Sequence, residues 1–177
     1  MAVLRALPAE FEGTDLEQAL AEAHRDLLTR TASAATADLL RTVVSSAYEA
    51  SFAPESDLGQ RILWPSADEE SNGMEDARFT RFTADDGTVE YRATYTAYDG
   101  YRIAPRLLIS PDLRVFRAHR LAGPAARNKG MALFPRTVKG QHLALVRSDG
   151  ERTSLARSAD GYQWTDPVVV QEPAAPW

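Results

Sequence analysis

The chain has 177 residues, 44% of them apolar and 25% charged, with a net charge of −5 and no cysteine. Those totals suit one ordinary globular domain, or a small domain with an appendage. They exclude a disulfide framework and a thiolate metal site, and they argue against a nucleic-acid polyanion as the main partner, which would need a clustered basic surface.

The start, "MAVLRALPAEFEG", is too short and too interrupted for a signal-peptide core. No apolar run approaches the ~20 residues needed to span a bilayer. The expectation is a cytoplasmic protein with no membrane partner, and the lack of cysteine fits a reducing compartment. The stretch "TDLEQALAEAHRDLLTR" reads as a helix. Thr14 and Glu17 have the spacing of a capping box, and Leu16, Leu20, Ala23 and Leu27 fall on one stripe. A second helix is expected from about Thr36, with Leu39, Leu40, Val43, Val44 and Ala47 apolar. Two amphipathic helices must bury their stripes against the following domain or another subunit. Residues 1–50 are therefore read as a helical extension, with a homo-oligomer formed through it as one expectation.

From about Ser51 the texture changes, and residues 51–177 read as mainly β. "RFTRFTADDGTVEYRATYTAYDG" holds two strands joined at Asp86-Gly87, a hairpin signal. "APRLLIS" and "LRVFRAHR" follow, and "GMALFPRTV", "QHLALVRSDG", "RTSLARS" and "YQWTDPVVV" repeat the plan. Ser110-x-Asp112-x-x-x-Phe116 matches Ser158-x-Asp160-x-x-x-Trp164 at an offset of 48, and Asp99-Gly100 matches Asp149-Gly150 at an offset of 50. Four short strands at a period of ~50 are the signature of a β-propeller blade. The short polar side chains would cap the turn, and the aromatic would start the outer strand. About two blades are covered, fewer than the ~3 units that stacked repeats need. Either the chain is part of a longer protein, or something else covers the open edges.

Two clusters carry charge that chemistry could use. "NGMEDARFTRF" places Glu75, Asp76 and Arg78 together before a strand, and "GPAARNKGMALFPR" places Arg127, Asn128 and Lys129 between glycines. In "LVRSDG", Arg147 ends a strand beside Asp149. Blades converge on an axis, so Asp76, Arg127 and Arg147 can share one mouth. The plainer reading is a set of solvated arginines and a local ion pair worth under ~1 kcal/mol. His24, His119 and His142 are far apart and lack ligand spacing, so no metal site is expected. His24 reads as a solvated or subunit-facing residue. No Walker-type glycine loop and no Gly-x-Ser-x-Gly elbow is present.

The motifs "ESNGMEDARF", "YRATYTAYDG" and "GPAARNKGMALFPR", in this order and spacing, resemble glycoside hydrolase family 130, the β-mannoside phosphorylases and related mannosidases. The resemblance runs from about Phe52 to Trp177, and the helical start resembles an extension that some members carry. It implies a five-bladed β-propeller with its site at the axial mouth, of which two to three blades are covered here. It implies that Asp76 is the catalytic acid and that Arg127 and Arg147 hold inorganic phosphate. Arg78, Tyr95, Asn128, Lys129 and Asp149 become substrate-binding candidates. Many members have proline where this chain has Ala77.

The chemistry fits those residue types. Phosphate is already an anion and needs no carboxylate base, only fork-like cationic donors. One carboxylic acid protonates the departing oxygen, in this family through a hydroxyl of the mannose ring. An inverting hydrolase needs a second carboxylate ~6.5–9.5 Å away. Glu75, next to Asp76 on a regular strand, is expected to point to the opposite face. The expected partners are a mannose-containing oligosaccharide and inorganic phosphate as co-substrate, with no resident cofactor. Members carry a blade before the Glu-Asp-x-Arg motif and further blades after the segment matched here, so the chain is expected to hold only part of the pocket and to be inactive alone. The alternatives are a hydrolase of the same family and a truncated, non-catalytic interaction module.

Overall fold

The computed structural model describes residues 11–26, 30–165 and 167–175, with Val3, Leu7 and Pro8. The helices α1 (Gly13–Asp26) and α2 (Arg30–Ser45) precede the β-structure in sequence. They belong to one compact unit, Met1–Ser46, and the β-structure belongs to a second, Ala47–Trp177.

In α1 the cap differs from the sequence expectation. The helix starts at Gly13, and the Glu12 amide donates to Asp15 Oδ2 at 2.8 Å, so Asp15 takes the third helical position of the box and Thr14 lies inside the helix. Glu17 instead accepts a fork from Arg41 of α2, at 2.7 and 3.0 Å. Leu16 and Ala19 are buried. Leu27 and the side chains of Ala23 and His24 lie outside the described residues. Helix α2 begins at Arg30, ahead of the expected start near Thr36, consistent with the alanine-rich run before Thr36. Its Leu39 and Val43 are exposed, whereas Leu40 and Val44 are half-buried.

The second unit holds two antiparallel sheets. Sheet 1 has the strand order β1-β5-β4-β3-β2, formed by β1 (Tyr48–Ser51), β2 (Met74–Thr83), β3 (Val89–Tyr98), β4 (Ile103–Ser110) and β5 (Val115–Arg120). Sheet 2 runs β6-β7-β8-β9, from Ala132–Leu133, His142–Val146, Thr153–Ser158 and Val168–Gln171. Each is a four-strand meander, to which β1 adds a fifth strand in sheet 1. Strand β6 is only two residues long. Pro135, which has no amide hydrogen to give a ladder, follows shortly after.

The repeat holds at the level of single hydrogen bonds. Ser110 Oγ accepts from the Leu113 amide and Ser158 Oγ from that of Gly161, at 2.7 and 2.8 Å. Asp112 Oδ1 takes the amides of Arg114 and Val115, and Asp160 Oδ1 those of Tyr162 and Gln163. Leu113 and Gly161 hold the same left-handed backbone, with φ 60° and 82°. Asp99 and Asp149 each take the amides two and three residues on. The aromatic residues differ. Phe116 lies in β5, as expected, but Trp164 precedes β9, and its amide donates to Ala122 in the linker between sheets. Gly123 lies so close that an added Cβ would stand 2.1 Å from the Trp164 carbonyl oxygen.

Side chains alternate across each sheet, so every sheet has two faces. One face of sheet 1 carries Ala93, Tyr95, Ala97, Leu108, Phe116 and Ala118. The segment 52–73, here called the strap, covers it. Phe52 meets Phe116 edge to face at 6.0 Å, and Leu63 packs on the same cluster. Arg61 donates to the Leu113 carbonyl at 2.8 Å. The strap is pinned by Glu70, which is fully buried. Its carboxylate accepts from the hydroxyls of Tyr48 and Tyr95 and the amides of Ser66 and Ala67, and pairs with the buried Arg106 at 3.1 Å. The other face of sheet 1 packs on sheet 2. Leu107 there joins Leu121, Met131, Ala144, Val146, Ala156 and Trp164 in one core.

Candidate active site

Antiparallel pairing sets the start of β2 beside the end of β3, and the start of β6 beside the end of β7. The segments 72–78, 99–102, 127–131 and 147–152 therefore gather at one end of the two sheets. The first expected site residue, Asp76, sits in a bulge. Its φ is 55°, and the register slips by one residue between Glu75, opposite Thr96, and Arg78, opposite Thr94. Bulges of this kind re-aim side chains. Arg78 forks onto Asp76, Nε to Oδ1 at 3.2 Å and Nη2 to Oδ2 at 3.0 Å. The Asp76 side chain is 36% exposed, so it remains open to solvent or a ligand.

The bulge also corrects the expectation for Glu75. Because one extra residue intervenes, Glu75 and Arg78 lie opposite Thr96 and Thr94, which share the sheet face turned toward sheet 2. Strand alternation therefore does not remove Glu75 from the site. Its carboxylate is instead held by Lys129 Nζ at 3.2 Å.

Segment 127–131 links the two sheets at this end. Gly130, with φ 84°, lies between the two arginines: a Cβ there would stand 3.7 Å from Arg78 Nη2 and 3.9 Å from Arg147 Cδ. Asp76, Thr94, Tyr95, Thr96, Gly130 and Met131 line one narrow crevice. Asn128, also left-handed at φ 61°, puts its Nδ2 3.0 Å from where a Cβ on Gly150 would be. Arg147 Nη2 donates to the Gly150 carbonyl at 2.6 Å. Arg147 also borders an open cleft of about 600 Å³, with Glu151, Thr153, Gln171 and Glu172.

Asp76, Arg78, Lys129, Gly130, Arg147 and Asn128 thus form one connected set drawn from both repeats. Arg127 is exposed on the same segment and makes no side-chain hydrogen bond or ion pair among the described residues. No contact joins it to Asp76 or Arg147. The hydroxyl of Tyr95 is turned to Glu70, at 2.5 Å, on the face covered by the strap, and burial pushes its phenol well above the usual range. The carboxylate of Asp149 is engaged as a turn cap. The Arg152 side chain and the Glu151 and Arg152 amides hold it down at about 2. Across these segments six cations, Arg78, Arg102, Arg127, Lys129, Arg147 and Arg152, stand against five carboxylates, Glu75, Asp76, Asp99, Asp149 and Glu151, so this end carries a net charge of +1 although the whole chain is acidic.

The glycines flanking Arg127 to Lys129 are expected from sequence to let the backbone approach an anion closely, and Gly130 holds the left-handed backbone that suits this. One contributor was not singled out from sequence. Glu70 lies five residues before Glu75 and looks like part of an exposed acidic run, "DEE". Among the described residues, no group of three or more His, Cys, Asp or Glu side chains is placed to hold a metal ion. No helix among them is long and apolar enough to cross a membrane.

No protein-family model matches the sequence. No curated protein matches it either. Solved structures do. A β-1,2-mannobiose phosphorylase from Listeria innocua, in complex with β-1,2-mannobiose, is similar over 63% of this chain and 32% of its own, at 24% identity and a TM-score of 0.50. A glycosyl hydrolase from Bacteroides ovatus is similar over 58% of this chain and 32% of its own, at 23% identity and a TM-score of 0.44. The chain spans about a third of the length of each. The first likeness identifies the fold: a mainly β, propeller-like glycosidase fold, covered in part and with its sheets not closed.

Proposed function

We propose that the chain carries the acid and part of the anion-holding wall of a site that cleaves β-mannosides with inorganic phosphate. The observation that carries this reading is the convergence of Asp76, Arg78 and Arg147 around Gly130. Asp76 and Arg78 are joined directly, and Arg147 comes up to Gly130 through its Cδ while its guanidinium is turned to the Gly150 carbonyl. A phosphate oxygen attacks the anomeric carbon, the bond from that carbon to the leaving sugar oxygen breaks with inversion, and the leaving oxygen takes up the proton of Asp76. Mannose 1-phosphate and the shortened sugar are released. Arg147 orients the phosphate as a planar donor, and Arg127, on the linking segment, is the second cation of this reading. Gly130 lets the backbone approach the anion without a side chain in the way. Arg78 holds the acid in place between turnovers.

A second reading, hydrolysis, is favoured by one observation: the bulge leaves Glu75 on the same face as Arg78. Glu75 would then activate a water, once released from Lys129.

The test is a panel of β-mannosyl disaccharides given to the whole protein with and without phosphate. The expected product is mannose 1-phosphate, formed only with phosphate. Asp76→Asn should lower turnover by about 10²–10⁴-fold, the usual worth of a positioned acid. Arg147→Ala should chiefly raise the KM for phosphate. Free mannose formed at the same rate without phosphate would favour hydrolysis, and no turnover of any substrate would favour a non-catalytic module.

A further inference from the structure

Segment 127–131 carries Arg127, Asn128 and Lys129 between the two sheets, yet little of its own backbone holds it in place. Asn128 and Gly130 both have left-handed φ, 61° and 84°. Among the described residues, no turn or loop hydrogen bond between backbone groups involves residues 127–131. Backbone of this kind persists when its surroundings hold it. Two side-chain bonds reach the segment. The Lys129–Glu75 pair is exposed at both ends, 54% and 55%, and such pairs are worth little. The other bond is buried: Thr94 Oγ1 on β3 donates to the Met131 carbonyl at 2.5 Å. Thr94 is 2% exposed and Met131 5%.

The place of Thr94 in the fold gives that bond its meaning. Thr94 lies opposite Arg78 on β2 and opposite Leu107 on β4. It also lines the crevice with Asp76 and Gly130. One side chain thus stands across from Arg78 and grips the segment that brings Gly130 to Arg147. The repeat sharpens this. Leu107 and Leu155 each lie three residues before the serine of their Ser-x-Asp turn. Leu155 has Leu145 opposite it on β7, where Leu107 has Thr94. The second repeat fills the matching place with an apolar residue, so what threonine adds in the first is its hydroxyl. Valine would match its shape but would leave the buried Met131 carbonyl without this donor.

We propose that Thr94 is a positioning residue of the candidate site: its hydroxyl fixes segment 127–131 to sheet 1 and so sets the spacing between the Asp76–Arg78 pair and Arg147. The consequence for phosphate rests on the proposed function, whereas the pin itself does not. Thr94 acts through the Met131 carbonyl. Without the bond, that carbonyl turns toward water and carries Gly130 with it. A misplacement of about 1 Å at a positioning group can cost on the order of 10²-fold.

The test compares Thr94→Val with Thr94→Ser in the whole chain, by amide order parameters from NMR relaxation and by titration with inorganic phosphate. The amides of Asn128, Lys129, Gly130 and Met131 should lie near ~0.85 in wild type and below ~0.6 in Thr94→Val, the values of rigid and flexible backbone. The phosphate Kd should rise about tenfold or more in Thr94→Val, as expected for the loss of a buried bond. Thr94→Ser keeps the hydroxyl and should restore both, with a Kd within about threefold of wild type. Thr94→Ala, which differs from Thr94→Ser by that hydroxyl alone, stands in should Thr94→Val fail to fold. A segment as ordered in Thr94→Val as in wild type overturns the proposal. So does a loosened segment with unchanged phosphate affinity, and so does Thr94→Ser behaving like Thr94→Val. A wild type that takes up no phosphate overturns the phosphate reading instead. The order parameters then decide the pin alone: a loosened segment upholds it, and an ordered one overturns it.

Discussion

Leu107 and Leu155 occupy the same place in the two repeats, yet Leu107 is 1% exposed and Leu155 is only half-buried. Sheet 1 is covered on one face by the strap and on the other by sheet 2. Among the described residues, sheet 2 is covered on one face only. The same local pattern, with the same turn hydrogen bonds, thus sits in two different environments. Turn chemistry sets each blade's shape, but neighbours set what each blade is worth to stability.

The largest way to break this comparison is at the pin that holds the strap. Glu70→Ala removes the carboxylate on which Tyr48, Tyr95, two amides and Arg106 converge. Removing one partner of a buried ion pair costs about 3–5 kcal/mol. Chemical denaturation should show that loss, and it should fall on sheet 1. A loss confined to sheet 2 would contradict the layer order.

The matched leucines give the next effect. Leu107→Ala should cost about 2–5 kcal/mol, through lost burial and a cavity. Leu155→Ala should cost under about 1 kcal/mol, because little apolar area is removed from water there. Equal costs would mean that the two leucines sit in equivalent environments, against the difference in cover described here.

Legibility in sequence followed the range of the interactions. The Ser-x-Asp and Asp-Gly turns were readable because their bonds close within three residues, so spacing alone reveals them. The hairpin at Asp86-Gly87 was readable for the same reason. Strand β1 and the strap were not, because β1 pairs with β5 some 68 residues away, Glu49 opposite Arg117, and the strap has no periodicity of its own. The α1 cap was misread because Thr14-x-x-Glu17 has the right spacing, but Asp15 competes for the helix start from Glu12. At the site, the residue types of Asp76, Arg78 and Arg147 were legible. The bulge was not: it has no glycine or proline, and it shows only in the φ of Asp76. That one residue of slip decides which way Glu75 faces.

A smaller, graded effect separates the turns from the cores. Asp99, Asp112 and Asp160 are held below the usual carboxylate range chiefly by backbone amides, and Asp149 by Arg152. Unfolded aspartates titrate near ~3.9. The stability these groups contribute is therefore complete above about pH 4 and is lost as pH falls toward the folded values, about 2 for Asp149. His119 and His142 are lowered mainly by burial, so they add a loss that begins as pH drops below ~6.5. Thermal midpoints should thus fall steadily on acidification, in both sheets alike. A midpoint that rises on acidification would reverse the sign of these contributions.

The central claim is that cationic groups from two repeats form one anion-holding mouth. Titrating the isotope-labelled chain with inorganic phosphate, read by amide chemical shifts, tests it most directly. The account predicts a saturable response confined to residues 75–78, 127–131 and 147–150, weakened at least tenfold by Arg147→Ala. A response scattered over the surface, or one that Arg147→Ala leaves unchanged, would contradict it.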